Sequence, residues 1–268
     1  DQWPGPQLIG DCVSMGFGGG VEDLQIGLIL NLLKEQKFFE QYPEHLHFSN
    51  PIPLLQVPDV QDILKASGYI FKEIATESIY GFSRCEIGGQ WNSNDDGSVG
   101  AWAADAIVKF GVLNRDVVGP YSGDRAKKWG AKGVPDDLEP TAKNNIVEVT
   151  SKITSFDAAA TAIQGWKPVM VCSNYGFSLN RDNQGFCRAQ GTWNHCMRFM
   201  GVRWDRPGLL CFQRWGATNP NGPLALNQPR NTFWVDADVA DRMLRQGDSF
   251  TIDRFKAYKN DNFIDWSF

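Results

Sequence analysis

Four residues of this chain have the types and the order needed to break an acyl bond. Cys12 lies in Gln7-Leu8-Ile9-Gly10-Asp11-Cys12-Val13-Ser14, just after a short polar turn and upstream of a long apolar segment. His195 lies in Asn194-His195-Cys196-Met197, running into an apolar stretch, and Gln213 lies in Phe212-Gln213-Arg214-Trp215-Gly216. A thiol attacks as its thiolate, and free cysteine titrates near about 8.5, so something must favour the anion. A helix N-terminus and a neighbouring imidazole do so together. The imidazole then needs a partner that fixes its tautomer and orientation, and the Gln213 amide oxygen can supply one. Gln7 can donate its amide N–H to a developing oxyanion, beside the backbone N–H of Cys12. Each residue alone is unremarkable in a folded chain. The order of an early thiol, a late imidazole and a later amide is that of a large class of thiol hydrolases.

Other chemistries find less support. The six cysteines are Cys12, Cys85, Cys172, Cys187, Cys196 and Cys211, with no CxxC pair, so the spacing does not favour zinc. Several are flanked by apolar residues, as in Val171-Cys172 and Leu210-Cys211-Phe212. That fits reduced, buried thiols and cytoplasmic synthesis better than a disulfide framework. His45 and His47 stand two apart but lack a nearby carboxylate or cysteine cluster, so they read as loop histidines. Asp95-Asp96-Gly97 does not reproduce an EF-hand spacing. No metal or other cofactor is expected. The net charge of −5 is spread along the chain without a basic run, which argues against nucleic acid as the main partner. The longest apolar run, Ile26 to Leu33, falls well short of the roughly 18 residues of a membrane span. No basic-then-apolar leader pattern opens the chain, and Asp1 in place of Met points to a processed or truncated start.

The elements that must position these residues follow from periodicity. Apolar content of 42% and ten tryptophans supply a sizeable core. Residues 1–20, rich in Gly and Pro, read as a loop, and helical spacing of Val21, Leu24, Leu28 and Leu32 predicts a helix over 21–37. The start of that helix is open, because Gly16, Gly18, Gly19 and Gly20 weaken any extension toward Cys12. Further helices are expected at 60–66, 98–110 with Ser98 as cap, 155–164 and 236–245. Residues 42–58, 88–97 and 112–145 read as loops. Short strands are expected around 79–83, 168–172, 197–202, 209–213, 232–234 and 249–255. Helices first and strands later give an α+β arrangement with two subdomains, 1–150 and 151–268, and a cleft between them.

The chain resembles the papain-like cysteine peptidases, distantly but over most of its length. Gln7 precedes Cys12 as a family glutamine precedes the nucleophile. Gly97-Ser98-Val99-Gly100-Ala101-Trp102 through Phe110-Gly111 matches a glycine loop and an alanine-rich helix, and Gly119-Pro120-Tyr121-Ser122-Gly123 matches the turn that follows. Lys167-Pro168-Val169-Met170-Val171, then His195 to Val202, then Gln213-Arg214-Trp215-Gly216 continue the match to the family's last strands. The resemblance implies a helical left subdomain carrying Cys12 and a β-barrel-like right subdomain carrying His195. It also implies that Gly97, Ser98, Gly100, Asn194 and Trp215 line the substrate side, with a peptide or peptidoglycan-like substrate. The chain departs from the family in four ways. Gln213 is one methylene longer than the family's asparagine. Gln7 stands five residues before Cys12 rather than six. Gly18 to Gly20 fall where the family has solid helix, and the family's disulfide cysteines are missing. Asp205 is an alternative orienter of His195. These departures keep open a second expectation, a papain-like structural or binding module, for example among virion proteins. Transglutaminase-type acyl transfer shares the Cys–His order.

Overall fold

A computed structural model describes residues 7–43, 54–216 and 220–258. His45 and His47 lie outside the described residues. The chain opens with the long helix α1 (Cys12–Glu35) and the short α2 (Phe38–Gln41), followed by α3 (Pro58–Ser67) and α4 (Thr76–Gly81). A π-helical turn, Phe82–Ile87, follows directly. Next come α5 (Gly100–Lys109), α6 (Arg115–Val118), α7 (Gly123–Lys132) and α8 (Glu139–Ala142). The remainder is β1 (Val147–Lys152), α9 (Phe156–Gln164), β2 (Val169–Phe177), β3 (Ala189–Arg203), β4 (Gly208–Phe212), β5 (Thr232–Asp236), α10 (Ala237–Leu244) and β6 (Asp248–Phe255).

The six strands form one antiparallel sheet in the order β1-β6-β2-β3-β4-β5. Side chains alternate across it. Val169, Val171, Met197, Phe199, Leu209 and Val235 point to one face, where α9 and α10 cover them. Met170, Cys172, Cys196 and Ile252 point to the other, against Val13, Phe17 and Val21 of α1 and Ala103 and Ile107 of α5. Helix α1 therefore lies on the strands that carry His195. Its C-terminal half packs with α2 and α3 through Ile29, Leu33, Phe38, Val60 and Leu64. The fold is α+β, helical first and with an open, barrel-like sheet second.

The expected helix over 21–37 is in fact continuous from Cys12. Helix-interior glycine costs about 1 kcal/mol relative to alanine, so local propensity argues against this start. Tertiary packing overrides it. A Cβ at Gly16 would stand 2.9 Å from the Cys196 sulfur, and one at Gly18 2.5 Å from Thr76 Cγ2. At Gly19 it would run into the Arg198 guanidinium, and at Gly20 into the Met170 sulfur. The glycines let the sheet approach the helix axis directly behind Cys12.

Other expectations shift for similar reasons. The expected strand near Ile79, Tyr80 and Ser83 is α4 and the π-turn, buried from Thr76 to Cys85. The supposed loop 112–145 contains three helices. Of these α7 exposes most of its surface and buries only Ala126, Trp129 and Gly130, too sparse a pattern to announce itself. Ser98 is not the cap of α5. The carboxylate of Asp248, from β6, accepts the Gly100 and Ala101 amides at 2.8 Å each and caps it from across the fold. The edge strand β1 pairs with β6 from Val147 to Lys152.

Candidate active site

Cys12 is the first residue of α1, so its side chain stands at the positive end of a 24-residue helix. The backbone N–H groups of Cys196, the residue after His195, and of Val13 pull its titration down. These contacts favour the thiolate, but burial and the adjacent Asp11 outweigh them and push the thiol up to about 11. His195 sits in β3 opposite Ser173 of β2. Its ring is buried and stacks on Trp215 with centroids 4.4 Å apart, and Trp215 meets Trp193 edge-on at 4.6 Å. Burial pulls the imidazole down to about 4. At neutral pH both groups of the resting site are uncharged.

Both glutamines make contacts with the turn that follows β4. Gln213 is buried at the end of β4, and its Oε1 accepts the Trp215 amide N–H, bracing the turn that holds the indole over the imidazole. Among the described residues, His195 Nε2 is buried without a hydrogen-bond partner. Gln7 sits against the same turn, its backbone N–H donating to the Arg214 carbonyl at 3.3 Å. Its side-chain Nε2 donates to the Ile9 carbonyl at 3.1 Å, closing its own loop, while its Oε1 is buried with no partner among the described residues. Asp205 lies in the β3–β4 turn, where it holds Arg203 through two bonds of 2.7 Å.

The glycine loop is held from below. Arg84 donates to the carbonyls of Gly97 and Asp95, and the Gly97 amide donates to the Tyr80 hydroxyl at 3.1 Å. Gly97 has φ +99, a left-handed value suited to glycine. Ser98 meets Ser83 at 2.9 Å between hydroxyl oxygens, and Gly100 is buried against Asp248. Asn194 is exposed beside His195. A groove lined by Leu55, Leu64, Tyr69, Ile70 and Phe71 opens at the other end of α1 and has no part in this site. Among the described residues, no cluster of His, Cys, Asp and Glu is placed to hold a metal ion.

Neither a family model nor a curated protein matches the chain. Solved structures do. Xylellain, a cysteine protease from Xylella fastidiosa, superposes with a TM-score of 0.56 at 13% identity, covering 91% of this chain and 79% of that one. The fold is papain-like. Digestive procathepsin L 3 of Tenebrio molitor matches at a TM-score of 0.45 and 14% identity, over 71% of this chain and 59% of that one. Bromelain from Ananas comosus, in complex with the E64 inhibitor, matches at 0.41 and 13%, over 68% and 79%. These two superpose too loosely to bear on the site.

Within this papain-like fold, sequence reasoning missed three residues around Cys12. Asp11 is fully buried. Its Oδ2 accepts the Tyr121 hydroxyl at 2.8 Å, and that hydroxyl accepts the Leu8 amide at 3.3 Å. Burial raises the Asp11 carboxyl to about 7 against the Tyr121 bond that lowers it. Tyr121 is fixed in turn by buried Glu77, which takes Arg115 at 2.6 Å, Arg125 at 2.8 Å and the Ser122 amide at 3.0 Å. Arg214 reaches beneath α1, with Nη2 3.6 Å from Glu22 Oε2 and Nη1 3.6 Å from the Met15 sulfur. The sequence signal for two of these was a charge directly beside a candidate catalytic residue, Asp11 beside Cys12 and Arg214 beside Gln213.

Proposed function

We propose that the chain is a thiol hydrolase acting on peptide or amide bonds, with Cys12 as nucleophile and His195 as general base. The observation that carries this reading is a thiol at the first residue of a long helix that packs on the strand presenting a buried imidazole. Because the resting pair is neutral, the reaction begins with base catalysis. His195 removes the Cys12 proton as sulfur bonds to the carbonyl carbon. It then returns the proton to the leaving amine, and water releases the acyl group by the same route. Gln7 serves the oxyanion by exchanging its Ile9 contact for substrate, beside the Cys12 amide. Gln213 acts through Trp215, whose ring covers the imidazole. Gly97, Ser98, Gly100 and Asn194 flank the peptide, with a cell-wall peptide as one class of substrate.

The test is digestion of a mixed peptide pool, with new amino termini read by mass spectrometry. Cuts made by wild type and lost in both Cys12→Ala and His195→Ala support the reading. Identical digests from all three proteins overturn it. A second reading, a papain-like binding or structural module, for instance in a virion, draws on a His195 Nε2 with no partner among the described residues and on the engagement of Gln213 with Trp215. It predicts no cuts from wild type in the same digest.

A further inference from the structure

The thiols behind the nucleophile are a feature that the proposed chemistry does not use. Cys172 on β2 and Cys196 on β3 stand directly opposite each other in the antiparallel ladder. Residues so paired have Cα atoms about 4.5–5.5 Å apart with side chains on one face, within the range of about 4.4–6.8 Å that a disulfide bridges. Their sulfur atoms lie 2.7 Å apart, closer than the roughly 3.5–4.0 Å of ordinary nonbonded contact between heavy atoms. Both side chains are buried on the sheet face that receives α1. The missing Cβ of Gly16 is what makes room for the Cys196 sulfur there. No other two of the described cysteines are given such a pairing by strand register.

We propose that Cys172 and Cys196 are a covalent modification site: an oxidisable dithiol that closes into a cross-strand disulfide beneath the Cys12 helix. The oxidant is a low-molecular-weight disulfide of the glutathione type. Cys196 attacks one of its sulfurs, the oxidant's S–S bond breaks and one small thiol leaves. Cys172 then attacks the Cys196 side of the mixed disulfide and expels the second small thiol. Two protein thiols become one disulfide and the oxidant becomes two thiols, so electrons and protons balance. The pair forms as the β2–β3 hairpin forms, so exchange during folding reaches sulfurs that the finished fold covers. Cys12 takes no part, and the site is independent of whether Cys12 turns over substrate. Once closed, the bond ties His195's strand to β2 one residue from the imidazole. A bridge over this 24-residue separation should raise Tm by roughly 5 °C.

The experiment refolds the full chain in glutathione buffers of graded redox ratio, blocks free thiols with N-ethylmaleimide in denaturant, and maps the peptides without reduction. The expected result is a Cys172–Cys196 linked peptide at oxidising ratios, with the other four cysteines alkylated, and its loss at reducing ratios. In Cys172→Ala no linked peptide should form at any ratio, and Cys196 should be found alkylated or carrying a single glutathione. Alkylation of all six wild-type cysteines at every ratio overturns the proposal, as does a linked pair that includes Cys12, Cys85, Cys187 or Cys211. The wild-type map decides the matter even where Cys172→Ala does not fold.

Discussion

Replacing Gly19 by alanine separates local helix propensity from the packing of α1. Propensity alone predicts a gain of about 1 kcal/mol, since Gly19 is eight residues into a 24-residue helix. The structure predicts the opposite. The new Cβ would occupy the position of the Arg198 guanidinium, which is buried, stands 3.2 Å from Asp23 Oδ2 and lies 4.5 Å over the Phe212 ring. Arg198 is the main group opposing the burial that raises the Asp23 carboxyl. Breaking a buried pair costs about 3–5 kcal/mol, and the 23% exposure of the Asp23 side chain puts this pair at the lower end. Set against the propensity gain, Gly19→Ala should lose about 2 kcal/mol. With a slope of about 3 kcal/mol/M, the urea midpoint falls by about 0.7 M at unchanged slope. Repeating the substitution in an Arg198→Met background closes a double-mutant cycle. There the clash is relieved, and Gly19→Ala should be neutral or stabilising by up to about 1 kcal/mol. A stabilising effect in wild type, or the same loss in both backgrounds, would refute the packing argument.

Three further predictions concern the site. The folded chain holds the Asp11 proton up to about pH 7, whereas an unfolded chain releases it near 3.9. Stability is therefore lost as pH rises from about 4 to about 7, and the full penalty remains above that. Asp11→Asn removes this slope. Urea titrations at pH 4 and pH 8 should show the variant gaining a few kcal/mol on wild type between them, and a constant difference would contradict the burial of that carboxyl. Wild-type Cys12 modification should fall off only as pH drops through about 4, where His195 protonates, and should rise toward the thiol value of about 11. A stopped-flow alkylation profile checks both limbs, and a limb at the ordinary imidazole value of about 6.5 counts against the buried ring. Trp215→Ala exposes that ring, so the acid limb should move from about 4 toward 6.5, visible in the same profile or by imidazole NMR.

Much of the sheet is legible in the sequence because its signal is local. Val169 to Cys172, Met197 to Phe199 and Leu209 to Phe212 are buried on both faces of the sheet, and five of the six strands overlap segments expected to be strands. Edge strand β1 was not legible, since it fully buries only Val147. The start of α1 was not legible either, because four glycines speak against helix locally. Their reason lies in Cys196, Thr76, Arg198 and Met170, between about 55 and 180 positions away in the chain. The candidate site shows the same division. Chain order brings Cys12, His195 and Gln213 to attention. It says nothing of Tyr121 bonding to Asp11 over 110 positions, or of Arg214 reaching Glu22 beneath the helix. Nor does it show that the Gln213 oxygen goes to the Trp215 amide, which depends on how the turn after β4 closes.

In the proposed mechanism the neutral His195 imidazole takes the Cys12 proton as sulfur attacks. This step is tested most directly by labelling the native protein with a thiol-reactive electrophile near neutral pH and measuring the rate at each cysteine by peptide mapping. Cys12 should react faster than the other five thiols. His195→Ala should slow it by roughly 10²-fold, the scale of a lost general base, while Cys12→Ala abolishes the fast phase. Modification of Cys12 no faster than the remaining thiols, or a fast rate unchanged in His195→Ala, would contradict the account.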